Sequence, residues 1–201
     1  AGQRRVLKLE LHHPQLQAMA DELYRFSSDV AFKRGLTMGR NILIHGQNGC
    51  GKTEALRGFE RWFNRVRIPV IGPVTQIEAE GDWAGAQQAT IPDGCFVHWP
   101  TVVRGFKEKE FLTIRHLECD YFATIDDIGA EHDPSGFGQE ELYLILSRRE
   151  FMHTIVTTNI SPSRLHERFE RRIVSRLFRN FTHISLGDVP DWASVKHRFA
   201  A

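Results

Sequence analysis

The chain has 201 residues, of which 41% are hydrophobic and 25% charged, with a net charge of +1. This is the composition of an ordinary globular protein with enough length to bury a core, and it argues against a disordered or fibrous chain. No run of about 18 apolar residues marks a membrane-spanning helix, no apolar signal segment opens the chain, and Cys50, Cys95 and Cys119 fit neither a disulfide framework nor a zinc pattern. A single domain over 1–201, away from membranes and in a reducing cytoplasm, is the expectation.

In chain order, residues 1–13 form an N-terminal extension. Leu16, Met19, Ala20, Leu23, Phe26 and Val30 then predict an amphipathic helix over about 14–33, with Pro14 in its first turn and Gly35 ending it. Asn41 to His45 is a short apolar run that predicts a buried strand. Gly46-Gln47-Asn48-Gly49-Cys50-Gly51-Lys52-Thr53 follows, a complete G-x-x-x-x-G-K-[ST] sequence, and Ala55, Leu56, Phe59, Trp62, Phe63 and Val66 recur at helical spacing after it. A strand entering a glycine-rich turn that opens a helix aims backbone N–H groups and the positive helix end at phosphates. In such a loop Lys52 reaches the β- and γ-phosphates of a nucleoside triphosphate, and the Thr53 hydroxyl ligates Mg²⁺.

Residues 67–94 interrupt the alternation with three prolines and four glycines, and read as an insertion of loops or a small hairpin. Residues 95–98 predict a strand, and 101–117 a helical stretch broken near Phe106. Tyr121 to Ile125 is the next apolar strand, closing on Asp126-Asp127. A helix is expected over 139–149, a β-branched strand over 153–158 ending at Asn159, a helix over 163–178, and a last strand over 182–186. Strands alternating with helices predict a five-stranded parallel sheet covered on both faces, an α/β fold.

The chemistry is expected at the carboxyl ends of these strands. Asp126 is placed to hold Mg²⁺ and Asp127 to polarise an attacking water as general base. Asn159 is placed to orient that water or to touch the γ-phosphate. Between Arg164 and Arg179 six arginines face only Glu167 and Glu170, and most read as a solvated helix face. Arg172 and Arg176, four apart, share one side of the helix and suit a role in stabilising transition-state charge on a neighbouring subunit. The ten histidines show no metal-ligand spacing.

Taken together, the Gly46–Thr53 loop, Thr124-Ile125-Asp126-Asp127-Ile128-Gly129-Ala130-Glu131, Ile155-Val156-Thr157-Thr158-Asn159 and Arg172-Ile173-Val174-Ser175-Arg176-Leu177 resemble the AAA+ helicase loaders of the DnaC/DnaI type and the related IstB transposition ATPases. The likeness spans about 14–64 and 95–190. It implies a P-loop NTPase of the AAA+ (ASCE) type with Walker A, Walker B and sensor 1 elements and an arginine finger at Arg176, assisted by Arg172. It also implies assembly into a homo-oligomer in the ATP state, single-stranded DNA as a ligand, and a replicative helicase as partner. Arg104, Lys107, Lys109 and Arg115 fall where this clade lines the DNA path. After residue 186 little or no helical lid is expected, and residues 67–94 are the candidate partner surface. A transposition helper acting on duplex DNA with a transposase is the alternative; a small-molecule kinase and a nucleotide-gated module without hydrolysis are weaker ones.

Overall fold

Period-two alternation in five short strands divides the core into two layers. In the computed structural model, which describes residues 13–32, 39–65, 94–107 and 112–191, the strands are β1 (Asn41–His45), β2 (Gly94–His98), β3 (Phe122–Ile128), β4 (His153–Thr158) and β5 (Thr182–Ser185). They form one parallel sheet in the order β2-β3-β4-β1-β5. Ile42 and Ile44 of β1 and Ile155 of β4 face one layer, with Leu16, Met19, Leu23, Phe26, Leu56 and Phe59. Those residues come from α1 (Pro14–Phe32) and α2 (Lys52–Arg65).

Leu43, Ala123, Ile125 and Val156 face the other layer. There they meet α3 (Trp99–Lys107), α4 (Leu112–Cys119), α5 (Phe137–Arg148), α6 (Leu165–Arg168) and α7 (Arg171–Asn180). Every residue of β4 is buried, as a central strand covered on both faces must be. Helices on both faces of a five-stranded parallel sheet are the expected architecture. None of the helices described is long and apolar enough to cross a membrane.

Three boundaries differ from the sequence reading. Strand β3 continues through Asp126 and Asp127 instead of stopping at Ile125. Gly94 belongs to β2 and not to the preceding insertion, whose residues 67–93 lie outside the described residues. The stretch expected over 101–117 is two helices, α3 ending at Lys107 beside the break expected near Phe106 and α4 starting at Leu112, with residues 108–111 outside the described residues. The helix expected over 163–178 is three pieces: a 3₁₀ turn at Pro162–Arg164, then α6, then α7. Residues 1–12 and 192–201 also lie outside the described residues, and with them most of the region where a lid was judged absent.

Candidate nucleotide site

The loop after β1 begins buried and turns outward. Gly46 is packed so closely that a Cβ there would come within 2.8 Å of Leu186 Cβ. Gly49 and Gly51 have φ of 77° and 96°, a region that side chains disfavour, so the turn into α2 depends on glycine at both. Gln47 Nε2 donates to the Val189 carbonyl at 2.8 Å, tying the loop to the chain beyond β5. Asn48 is exposed, whereas Cys50 is fully buried and contributes packing.

Lys52, 6% exposed, lies inside this loop. Its Nζ donates to the Gly46 carbonyl at 2.7 Å, the Gln47 carbonyl at 2.9 Å and Asn159 Oδ1 at 2.6 Å. The Asn159 amide in turn donates to Asp127 Oδ1. On the other side, Thr53 Oγ1 donates to Asp126 Oδ2 at 2.8 Å. Lys52, Asn159 and Asp127 are therefore one hydrogen-bonded chain spanning 107 positions of sequence, with Thr53 and Asp126 paired beside it.

The topology explains how. Strand β4 lies between β1 and β3, so Asn159 just past its end stands between the loop and the acids. Adjacent residues of a regular strand point to opposite faces, which would send Asp126 and Asp127 apart. The ladder avoids this with a bulge: Ile125 pairs with Val156 but Ile128 with Thr158, so Asp126 and Asp127 together oppose Thr157. Asp127 takes φ of 63°, outside the usual range for its type. The Thr157 hydroxyl joins the two, donating to Asp126 Oδ1 at 2.5 Å and accepting from the Asp127 N–H at 2.8 Å. Sequence reasoning gave Thr157 no role. A hydroxyl one residue before the polar strand end was the available signal, but its partner is a bulge that spacing does not reveal.

Charge follows from this crowding. Burial raises the Asp127 pKa above the ordinary carboxylate value, the neighbouring Asp126 charge raises it further, and His98 and Lys52 oppose the rise. Past the acids, Glu131 is buried and accepts from the Gly129 N–H at 2.7 Å. Arg168 of α6 donates to the Gly129 carbonyl at 3.1 Å, the Glu131 carbonyl at 2.6 Å and Glu131 Oε1 at 3.1 Å. This lock fixes the backbone that leaves β3. Arg168, counted in sequence among solvated arginines, is an internal tie.

The other expected residues lie elsewhere. Arg172 and Arg176, on α7, pair with Glu140, Glu170 and Glu150 instead of joining the Lys52–Asp127 group. Arg104 on α3 and Arg115 on α4 are exposed, Lys107 ends α3, and Lys109 lies outside the described residues.

Solved structures share this fold. A crystal structure of DnaI superposes with a TM-score of 0.65 at 17% identity, over 88% of this chain and 87% of that one. A DnaC helicase loader gives 0.59 at 18% identity, over 90% and 98%. The chain has the fold of DnaI and of the DnaC helicase loader. An AMPPCP-bound DnaA from Aquifex aeolicus gives 0.57 at 14% identity; this chain is covered over 94% of its length and spans 52% of that one. No protein-family model matches the sequence, and no curated protein does so at the sequence level. What is held in common at these identities is the fold.

Proposed function

We propose that the chain is an ATPase acting in the initiation of DNA replication, and that it loads a replicative helicase onto single-stranded DNA. The observation that carries the ATPase reading is the hydrogen-bonded group Lys52–Asn159–Asp127 and Thr53–Asp126–Thr157 at the ends of three adjacent strands. The Thr53 hydroxyl and Asp126 carboxylate, in contact at 2.8 Å, are the hard oxygen donors that Mg²⁺ prefers, so they would hold it. Bound there, Mg²⁺ supplies positive charge that neutralises the phosphates.

The protein's own groups divide the remaining work. The amide groups of residues 46–53 line the phosphate side, and Lys52 exchanges its carbonyl partners for phosphate oxygens. Asp127 accepts a proton from water, with its carboxylate held by the Asn159 amide and its N–H by the Thr157 hydroxyl. Asn159 holds Asp127 at one end and Lys52 at the other, so it sets the distance between base and phosphate. Arg176, with Arg172 beside it, serves the nucleotide of an adjoining copy. Arg104, Lys107, Lys109 and Arg115 supply the positive charge toward DNA phosphates.

The replication assignment draws on the likeness to the DnaC helicase loader and to DnaI. Its test is ATP hydrolysis with and without single-stranded DNA, together with capture of the replicative hexameric helicase. Stimulation by single strands and retention of the helicase are expected. Stimulation by duplex DNA alone, with capture of a transposase, would replace this assignment by the transposition reading. Hydrolysis unaffected by any DNA and no captured helicase would remove it.

A further inference from the structure

One face built from α5 and α7 holds a cluster that the hydrolytic group does not use. The guanidinium carbon of Arg172 lies 4.4 Å from the centre of the Tyr143 ring, and that of Arg176 lies 5.2 Å from it. Three carboxylates surround the pair: Glu140 and Glu170 on Arg172, and Glu150 on Arg176. These ion pairs are partly exposed, and such pairs hold a long side chain weakly. The ring differs from them. Tyr143 packs against the buried layer beneath α5, so its base is fixed while its face carries the cations. A planar guanidinium on an aromatic face keeps its direction as well as its place.

The distinction matters when the arginines change partner. If Arg176 is to meet phosphate oxygens of another copy, it must give up Glu150, and Arg172 must loosen from Glu140 or Glu170. A carboxylate competes with phosphate for the same N–H groups. Tyr143 competes less, because its ring face takes the flat side of a guanidinium and its hydroxyl, hydrogen-bonded to Arg176, is a neutral partner and not a carboxylate. The aromatic contact can thus persist before and after the exchange.

We infer that Tyr143 is a positioning residue for the arginine pair, holding Arg172 and Arg176 together and aimed outward for the neighbouring copy's nucleotide. The inference rests on the proposed role of Arg176 across the subunit junction. Glu140, Glu150 and Glu170 are the parking sites of the two cations in the isolated chain.

The test mixes two variants that are each inactive alone. Arg176→Ala keeps its own site but lacks the finger, and Asp127→Asn keeps the finger but lacks the base. Hydrolysis that returns on mixing comes from an Arg176→Ala site served by an Asp127→Asn neighbour. Tyr143→Leu added to the Asp127→Asn copy is expected to lower the restored kcat about tenfold, with KM for ATP and the half-restoring mixing ratio unchanged. The same change in the Arg176→Ala copy should leave restoration intact, which also shows that the variant folds. Tyr143→Phe in the finger-donating copy should keep most of the rate, since the ring remains. Restoration that ignores Tyr143→Leu in the donor, or suffers equally from it in either copy, overturns the positioning role alone. If mixing restores nothing, the shared-site reading falls and this inference falls with it.

Discussion

Thr157 shows how much a single hydroxyl can settle. It opposes the bulged pair Asp126 and Asp127, donating to one carboxylate and accepting from the other residue's N–H. Thr157→Val keeps the shape and β-branching of a fully buried strand position but removes both bonds, leaving the Asp127 N–H without this partner. A lost buried hydrogen bond costs about 1–3 kcal/mol, and if that falls on the transition state kcat for ATP drops about 5- to 150-fold. ATP affinity should change little, since the loop and Lys52 are untouched; steady-state kinetics with separate nucleotide binding checks both. His153 makes a different kind of prediction. It is 4% exposed, lies edge-on to Phe26 and Tyr121, and accepts the Arg40 N–H through Nδ1 at 3.2 Å. Burial, helped by the charges of Arg149 and Arg40 and opposed by Asp29, lowers its pKa to about 4. The folded chain keeps the ring neutral while the unfolded chain protonates it at its ordinary value near 6.5. Stability is therefore fully present above that value and is lost as pH falls toward 4, by on the order of 3 kcal/mol. Denaturant midpoints across this window should fall less steeply in His153→Gln.

Among the elements, the strands and the loop were the most legible from sequence, because each is short, apolar and closed by a glycine or a polar residue. The break between α6 and α7 was not. Leu165, Phe169, Ile173 and Leu177 are all buried and spaced by four, which reads as one continuous helical face. The chain nevertheless turns extended at Phe169 and Glu170, because the two helices serve different neighbours. Helix α6 is tied to the loop after β3 through Arg168, while α7 lies along α5. Only three-dimensional partners separate the two cases. Arg149 closes the helix expected over 139–149, and nothing in its spacing marks what it bonds. It is 1% exposed and donates to the carbonyls of Leu117, Asp120 and His153 and to Thr154 Oγ1, so it bolts the ends of α4 and α5 to the start of β4. Arg149→Ala would strip these acceptors of their donor and leave a cavity. A loss of about 3–5 kcal/mol in unfolding free energy is expected from urea denaturation. Gly46–Thr53 lies at the other end of β1, so nucleotide binding by the remaining folded fraction should be near normal.

At the scale of the whole molecule, the sheet divides the residues of the proposed site into two sets. Strand order β2-β3-β4-β1-β5 gathers the loop, the acids and Asn159 at the carboxyl ends of β1, β3 and β4, all within one copy. Arg172 and Arg176 leave from α7 and end among Glu140, Glu150, Glu170 and Tyr143, outside that group. The first set carries its own connectivity and should bind ATP in dilute solution. The second carries its charge away from the loop, and in the proposal it serves the nucleotide of a second copy. Two consequences separate this arrangement from a self-sufficient enzyme. Turnover per chain should rise with protein concentration and level off once copies associate, whereas a solitary catalyst would show a constant value. Arg176→Ala should lower the plateau about 10³-fold or more while leaving ATP affinity within a few-fold, because binding depends on the loop. Hydrolysis at fixed ATP over a wide range of chain concentration, with nucleotide titrations on the same samples, decides between them. A variant that loses affinity in step with kcat would place Arg176 at its own nucleotide and end the shared-site account.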